Sequence, residues 1–288
     1  MKQAHKKIVK TVILLLLCGY VLVSLLQPGL SSLDTVESLS EYEGDLASVS
    51  DTDPAFIRYI QRKLLPPAPR HVPLKLYGEV GTGQIGQAQE VLDYFKGKSH
   101  GVFVEAGAFN GEYLSNTLYL ETNYSWTGLL VEPNSAAYKG LSRKKRKSYC
   151  IHSCLSVVSH PDIVEFDAAD VFGGINEDIT GVDNARLKKM RNSIPDQKRR
   201  LEKVECYPLY SLLLSIGQER NIDFFSLDVE GAELAVLRTI PWDKVRIELV
   251  MIEVNHSNKA EIDNVMISAG YQVHKVLSNQ DIIYRLKS

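Results

Sequence analysis

Four acidic side chains stand directly after apolar, β-forming runs, where they could take part in chemistry. Glu105 follows the run VFV, and Glu132 follows the run TGLLV. Asp228 and Glu230 come at the end of a third run, IDFFSL. Carboxylates accept hydrogen bonds from sugar hydroxyls, bind cations and take up protons. Because ligands in open α/β sheets bind beyond the carboxyl ends of the strands, we expect these acids to face one crevice.

A glycine-bearing turn next to Glu105 predicts a binding loop. Gly107 and Gly111 bracket a short turn, and a helical segment begins near Leu114. Glycines let the backbone approach a ligand, and the N-terminus of a helix carries partial positive charge. Glu132 lies 21 residues after Gly111, where the acid of nucleotide-binding α/β folds accepts hydrogen bonds from ribose hydroxyls. The alternative for Glu132 is a surface carboxylate at a strand end.

The segment DVEGAE predicts the reacting side of the crevice. Asp228 and Glu230 could hold a proton or a metal ion there. Glu233 lies in the first turn of a predicted helix and is interpreted as a helix cap. His256 follows a fifth predicted strand, at the crevice mouth, and could serve as a base near neutral pH. Its alternative is a solvated loop histidine.

The elements that must position these residues alternate along the chain. Apolar runs predict strands at 102–105, 127–131, 149–155, 222–228 and 248–254, followed by a hairpin at 271–276 and 281–286. Helical stretches separate most of them. This alternation predicts a mainly parallel sheet, covered on both faces, with an antiparallel edge.

Two stretches fit that pattern less well. Residues 156–204 have little strand pattern and are interpreted as a long insertion or lid, with Asp167 as a candidate for the adenine end of a nucleotide. Residues 81–86 spell GxGxxG, but no central strand precedes them, so the context of a dinucleotide loop is missing. We expect them to form a loop or lid that leads into a helix around Ala88–Phe95.

The N-terminal sequence predicts a membrane anchor. Residues 1–10 contain four lysines, and residues 11–27 form an apolar run that just reaches the length needed to cross a bilayer, about 17–25 residues. The run lacks a small-x-small cleavage site, which favours an uncleaved anchor over a signal peptide. By the positive-inside rule, residues 1–10 are cytosolic and the remainder is lumenal, as in a type II membrane protein. Residues 28–74 are interpreted as a lumenal stem and residues 75–288 as the globular domain.

The overall charge of the chain argues against one class of partner, nucleic acid. The formal net charge is -2 with 24% charged residues, which gives no case for nucleic-acid binding by the whole chain. The basic run Arg143–Lys147 is interpreted as a solvated helix end, the alternative being a site for an acidic partner or phosphates.

The predicted lumenal part contains three cysteines and two N-glycosylation sequons. Cys150 and Cys154 would lie about 13 Å apart on one strand, beyond the reach of a disulfide. Either could pair with Cys206, and these spacings do not make a zinc site; no metal site is predicted. Asn123 and Asn255 each begin an N-glycosylation sequon.

Four segments carry a resemblance to a known family: FVEAGAFNGE, SNTLYLE, WTGLLVEPN and IDFFSLDVEGAELAVL. Over roughly residues 84–286 they resemble the FkbM-type methyltransferase domain. The resemblance implies a Rossmann-like class I methyltransferase fold that binds S-adenosyl-L-methionine. It also implies site roles: Asp228 and Glu230 would line the acceptor side, Glu132 would bind the adenosine ribose, and the methionine moiety would be flanked by Glu105, Gly107 and Gly111.

More narrowly, the chain resembles the Star-type proteins of animals, in which such a domain follows an N-terminal signal anchor. Two functions follow from the two resemblances, the first from the FkbM-type domain and the second from the Star-type proteins. The first is O-methyl transfer in the secretory pathway, with Asp228 or His256 taking the acceptor proton. The alternative is a non-catalytic factor for vesicle transport of membrane-bound growth-factor precursors, between endoplasmic reticulum, Golgi, endosome and plasma membrane. A type II glycosyltransferase lacks support, because the DxD-like motif at residues 51–53 lies in the predicted stem.

Overall fold

The computed structural model of the chain describes residues 32–169, 173–175, 185–195, 199–220, 222–278 and 280–287. The chain divides into two compact units between Tyr42 and Glu43. In the first unit, the described residues form helix α1 (Ser32–Thr35) and a single 3-10 turn at Leu39–Glu41. The predicted cytosolic tail, 1–10, and membrane span, 11–27, lie outside the described residues. Within the described part of the chain, no helix has both the length and the apolar character needed to span a membrane.

The second unit contains the strands and the remaining helices. In chain order, the strands are β1 (Val102–Ala106), β2 (Thr127–Glu132), β3 (Tyr149–His152), β4 (Cys154–Leu155), β5 (Asp162–Ala169), β6 (Gly174–Ile175), β7 (Arg199–Tyr207), β8 (Ile222–Leu227), β9 (Ile247–Glu253), β10 (Tyr271–Leu277) and β11 (Asp281–Leu286). The helices are α2 (Pro54–Lys63), α3 (Gln87–Tyr94), α4 (Leu118–Tyr124), α5 (Ser135–Leu141), α6 (Ala185–Asn192), α7 (Leu209–Ile216), α8 (Glu233–Thr239) and α9 (Lys259–Ser268).

Seven strands form the central sheet, in the order β10-β11-β9-β8-β1-β2-β3. From β9 to β3 neighbouring strands run parallel. Strand β11 pairs antiparallel with β9, and β10 pairs antiparallel with β11. The prediction of a mainly parallel sheet with an antiparallel edge is therefore confirmed.

The central strands are apolar in sequence because the sheet buries both of its faces. Consecutive side chains of a strand point to opposite faces, yet Leu129 and Leu130 of β2 are both 0% exposed. Helix α3, where the sequence predicts a helix around residues 88–95, packs Ala88 and Val91 into one core cluster with Phe103 of β1. The core thus fixes where the carboxyl ends of the strands lie.

A second sheet replaces the irregular insertion expected at residues 156–204. Its strand order is β4-β7-β5-β6, and β5 pairs antiparallel with β7 from Asp162↔Cys206 to Ala169↔Arg199. The expectation of little strand structure here was wrong, because the outer half of β7 reads RRLEK and its exposed charges hide the alternation. Asp167 is engaged within this sheet, accepting from the Arg199 guanidinium at 2.6 Å.

Cys154 and Cys206 form a disulfide that joins β4 to β7. This is one of the two pairings that the sequence left open. Cys150 is a free, buried thiol, and burial raises its pKa to about 12. A thiol with so high a pKa is a poor nucleophile, so Cys150 acts as a core residue.

The folded unit begins earlier than residue 75, the boundary that the sequence favoured. Helix α2 starts at an N-cap, Asp53, whose carboxylate accepts from the N–H groups of Ala55 and Phe56, and this explains one acid of the DxD-like motif. Its inner face buries Phe56 and Tyr59, and the Tyr59 hydroxyl donates to Glu205 on β7 at 2.9 Å. The second half of the predicted stem is therefore part of the packed unit.

The basic run 143–147 is only partly solvated, so its interpretation as a solvated helix end was wrong for two of its members. Lys144 and Arg146 are 3% and 2% exposed. Lys144 pairs with Glu112, and Arg146 pairs with Glu121 through Nε at 3.0 Å. Their acidic partners lie 32 and 25 residues earlier in the chain, so a local charge pattern cannot indicate them.

We predict that Arg146→Met lowers the free energy of unfolding by about 3–5 kcal/mol, the usual cost of removing one member of a buried ion pair. The change leaves Glu121 buried without its cation. Urea denaturation of the unit 43–288 measures the effect. Arg143→Met is the matched control, since Arg143 is an exposed member of the same run. A loss below about 1 kcal/mol for Arg146→Met would show that the ion pair does not hold this region.

Candidate active site

A cavity of about 380 Å³ lies at the carboxyl ends of the central strands. That is a volume typical of a small-molecule site. The ends of β1, β2, β8 and β9 form one side, and the second sheet contributes the apolar side chains Leu155, Phe166 and Ile175. All the acids predicted from the sequence to face a crevice line this one cavity: Glu105, Glu132, Asp228 and Glu230. The cavity therefore corresponds to the predicted crevice.

Close packing around the turn after β1 requires glycine at positions 107 and 111. Gly107 has φ +84°, and a Cβ there would lie 1.8 Å from the carbonyl oxygen of Asp228. Gly111 has φ +72°, and a Cβ there would lie 2.3 Å from Leu141. Gly107 lines the cavity, whereas Gly111 does not; its carbonyl accepts instead from Arg146 Nη1 at 2.6 Å.

Glu105 organises the loop that follows the turn. Its carboxylate accepts from Ser115 Oγ at 2.9 Å, from the Asn116 N–H at 2.7 Å and from Thr117 Oγ1. Burial raises the pKa of Glu105, while the Arg146 charge acts in the opposite direction. The carboxylate lines the cavity floor and at the same time fixes residues 115–117.

Glu132 connects the glycine turn to the end of β2. One carboxylate oxygen accepts from the Phe109 N–H at 2.6 Å and the other from the Asn134 N–H at 2.7 Å. Each carboxylate oxygen has a further lone pair, so the group can still accept from a ligand hydroxyl. Burial raises the pKa of Glu132 to about 7, although the two backbone hydrogen bonds lower it.

Three carboxyl groups crowd the opposite side of the cavity. Burial raises the pKa of Asp228 to about 7, of Glu230 to about 9 and of Glu253 to about 11, and repulsion from neighbouring carboxylates adds to each shift. Oε2 of Glu230 and Oε2 of Glu253 are both inaccessible to water and accept no hydrogen bond from the described residues. The carboxyl groups on this side of the cavity therefore hold protons at neutral pH, or their charges could be neutralised by a bound cation.

Glu233 has the structural role expected from its place in a first turn. Its carboxylate accepts from the N–H groups of Val229 and Gly231, at 3.0 and 3.1 Å, and from Ser257 Oγ. Glu233 is fully buried and does not line the cavity. It holds the turn that carries Asp228 and Glu230.

His256 is buried, contrary to the alternative of a solvated loop residue. It is 5% exposed, lines the cavity, and its Nε2 lies 3.4 Å from Oε2 of Glu230. The neighbouring Asn255 donates from Nδ2 to Glu253 Oε1 at 3.0 Å. The loop after β9 thus brings an imidazole to the acidic side of the cavity.

The geometry also allows a metal ion on this side of the cavity, one of the two roles that the sequence left open for Asp228 and Glu230. Ligand atoms of Glu230, Glu253 and His256 lie within 4.8 Å of one another, as do those of Asp228, Glu233 and Glu253. Oxygen-rich sets of this kind suit hard divalent cations. Shared protons are the other means of neutralising the same carboxylates.

Glu253 and Asn116 are polar cavity residues that the sequence reasoning missed. Glu253 stands at the end of β9 as Glu132 stands at the end of β2, so the same strand-end rule could have found it. Asn116 is 8% exposed and donates to Ser226 Oγ at 3.0 Å, while its buried Oδ1 accepts no hydrogen bond from the described residues. No sequence signal marks Asn116, because its position depends on the loop that Glu105 fixes.

The strand order and the site define a class of protein. A parallel sheet with an antiparallel hairpin at one edge, and an acid-glycine turn after β1, form the α/β methyltransferase-like fold. The family model described as "Methyltransferase FkbM domain" matches residues 105–273, which is more than half of the chain. The chain belongs to the FkbM methyltransferase domain family.

Solved structures show more distant likenesses. Precorrin-6y C5,15-methyltransferase from Geobacter metallireducens GS-15 is 10% identical with a TM-score of 0.37, and the match covers 74% of this chain and 94% of that one. N,N-8-amino-8-demethyl-D-riboflavin dimethyltransferase from Streptomyces davawensis is 12% identical with a TM-score of 0.30, and the match covers 70% of this chain and 56% of that one. No curated protein sequence matches this chain.

We predict that Gly107→Ala collapses the turn, because its Cβ would overlap the Asp228 carbonyl. The free energy of unfolding should fall by more than about 3 kcal/mol, the sum of backbone strain and overpacking. Gly217→Ala is the matched control: it has φ +66° but no atom within 4 Å of the added Cβ. Equal losses for the two variants in urea denaturation would contradict the close approach of β1 and β8.

We predict that the unit 43–288 loses stability as pH rises from about 5 to 9. The native state keeps protons on Glu230 and Glu253, while the unfolded chain releases them above the ordinary carboxyl pKa. Each such group lowers the free energy of unfolding by up to about 1.4 kcal/mol per pH unit. Thermal unfolding at several pH values measures this.

Glu253→Gln, which cannot ionise, should flatten that pH dependence. Glu165→Gln is the control, because Glu165 is an exposed residue of β5. A wild-type profile that rises or stays level over this range would contradict the raised pKa values.

Proposed function

We propose that this protein is an S-adenosylmethionine-dependent O-methyltransferase. The observation that carries the proposal is the placement of Glu132, an acid at the end of β2 bonded to the turn after β1, in a ligand-sized cavity of an FkbM-family domain. Nucleotide-binding α/β folds put a ribose-binding acid at this place. The residues present fit the cofactor, as the following contacts indicate.

The turn side of the cavity would hold the cofactor. Glu132 would accept hydrogen bonds from the ribose hydroxyls through its remaining lone pairs. Gly107 lines the cavity beside Glu132, so its backbone is placed to contact the cofactor. Asn116 Oδ1, buried and without an acceptor role in the described residues, would accept from the ammonium of the methionine moiety.

The acidic side of the cavity would hold the acceptor. S-adenosylmethionine supplies a methyl group on a sulfonium, which is already reactive towards an aligned oxygen. The work of the chain is therefore to hold the acceptor in line and to take its proton. Asp228, with a pKa raised to about 7, suits a base at neutral pH, and His256 beside Glu230 is the other candidate.

Calorimetric titration of S-adenosylmethionine into the unit 43–288 tests the cofactor half. We predict binding that weakens about 10- to 100-fold in Glu132→Ala, the usual range for losing hydrogen bonds to a charged group. Glu165→Ala, an exposed acid outside the cavity, should bind as the wild type does. Thermal unfolding confirms that each variant is folded. A folded Glu132→Ala that binds with unchanged affinity would refute the assignment of the ribose site.

The proposal extends to a lumenal location behind an N-terminal signal anchor. The anchor rests on the sequence of residues 1–27. The Cys154–Cys206 disulfide supports the lumen, because disulfides form and persist in oxidising compartments. Endoplasmic reticulum and Golgi are the compartments that the Star-type resemblance favours.

The alternative function is a non-catalytic transport factor for membrane-bound growth-factor precursors. It rests on the resemblance to Star-type proteins, which combine an anchor with this kind of domain. The two functions respond differently to one variant. A transport factor that uses the fold as a scaffold should keep its effect on cargo delivery in Glu132→Ala, whereas a methyltransferase should lose activity.

A further inference from the structure

The two N-glycosylation sequons lie in opposite environments. Asn123 is exposed in the last turn of α4, and Ser125, the hydroxyl residue of its sequon, is also exposed. The Asn123 side-chain nitrogen donates to Tyr119 O at 3.2 Å and to Thr122 Oγ1 at 2.8 Å. Both partners belong to the same helix, so a sugar on this nitrogen displaces no core packing.

Asn123 also lies away from the candidate active site. Helix α4 ends just before Thr127, at the amino end of β2, whereas the cavity lies at the carboxyl ends of the strands. A glycan on Asn123 would therefore extend from the amino ends of the strands, on the side of the sheet away from the cavity. It would leave the cavity open.

The second sequon is built into the cavity wall. Asn255 donates to Glu253 Oε1, and Ser257 donates to the buried Glu233 carboxylate. His256 between them is 5% exposed. Asn255 is half-buried and lines the cavity of about 380 Å³, so a glycan on its side-chain nitrogen would crowd the cavity and the contact with Glu253.

We propose that the folded protein carries an N-linked glycan on Asn123 and none on Asn255. The inference rests on the proposed lumenal location. The donor is a lipid-pyrophosphate-linked oligosaccharide. The Asn123 amide nitrogen forms a bond to its anomeric carbon and loses one proton, and the lipid pyrophosphate leaves.

The test uses the full-length chain expressed in cultured animal cells. Treatment with a peptide-N-glycosidase should shift the wild type on a gel by the mass of one glycan. Asn123→Gln and Ser125→Ala should each abolish the shift, and Asn255→Gln should leave it unchanged. A single glycan that is lost in Asn255→Gln and kept in Asn123→Gln would overturn the proposal, and so would two glycans on the wild type.

A control sequon separates failure of this proposal from failure of the lumenal location. The substitution Ser48→Asn creates a new sequon over residues 48–50, at an exposed position of the same unit. A glycan on this added sequon without a glycan on Asn123 would overturn the assignment of Asn123 alone. Glycosylation at neither position would overturn the lumenal location together with it.

Discussion

The candidate site depends on one buried guanidinium. Arg146 donates to Glu121 Oε1 at 3.0 Å, to the Gly111 carbonyl at 2.6 Å and to Thr117 Oγ1 at 3.1 Å. These contacts hold both ends of the loop that crosses the carboxyl end of β1. Glu105 accepts hydrogen bonds from residues 115–117 of the same loop. Burial raises the pKa of Glu105, and the Arg146 charge acts against that rise. Because a buried charge is costly unless it is paired and hydrogen-bonded, the loop, the acid and the arginine stabilise one another as a set.

On the acidic side of the cavity, the surroundings disfavour negative charge instead of stabilising it. Asp228, Glu230 and Glu253 lie where repulsion and desolvation favour their protonated forms. Such an arrangement weakens the fold at high pH. Strained or destabilising groups of this kind are typical of sites where carboxyl groups bind a ligand or move a proton. The two sides together give a cavity with one wall held by hydrogen bonds and one wall whose carboxyl groups have raised pKa values.

The sequence predicts those parts of the molecule whose signals are local. Continuous apolar runs indicate the buried parallel strands, and the strand-end rule indicates Glu105, Glu132, Asp228 and Glu230 as residues of one crevice. The second sheet was missed because β7 carries exposed charges over its outer half. Burial of Lys144 and Arg146 was missed because their acidic partners are distant in the chain. The position of Asn116 could not be predicted from the sequence either, because it follows from contacts that form only when the loop is folded.

The central claim is that the cavity at the carboxyl ends of the strands is a cofactor site. A crystal structure of the unit 43–288 grown with S-adenosylhomocysteine tests it most directly. The account predicts the ribose hydroxyls within hydrogen-bond distance of Glu132, and the amino acid end beside Gly107 and Asn116. Ligand bound elsewhere on the domain, or a cavity that remains without ligand at saturating concentration, would contradict the account.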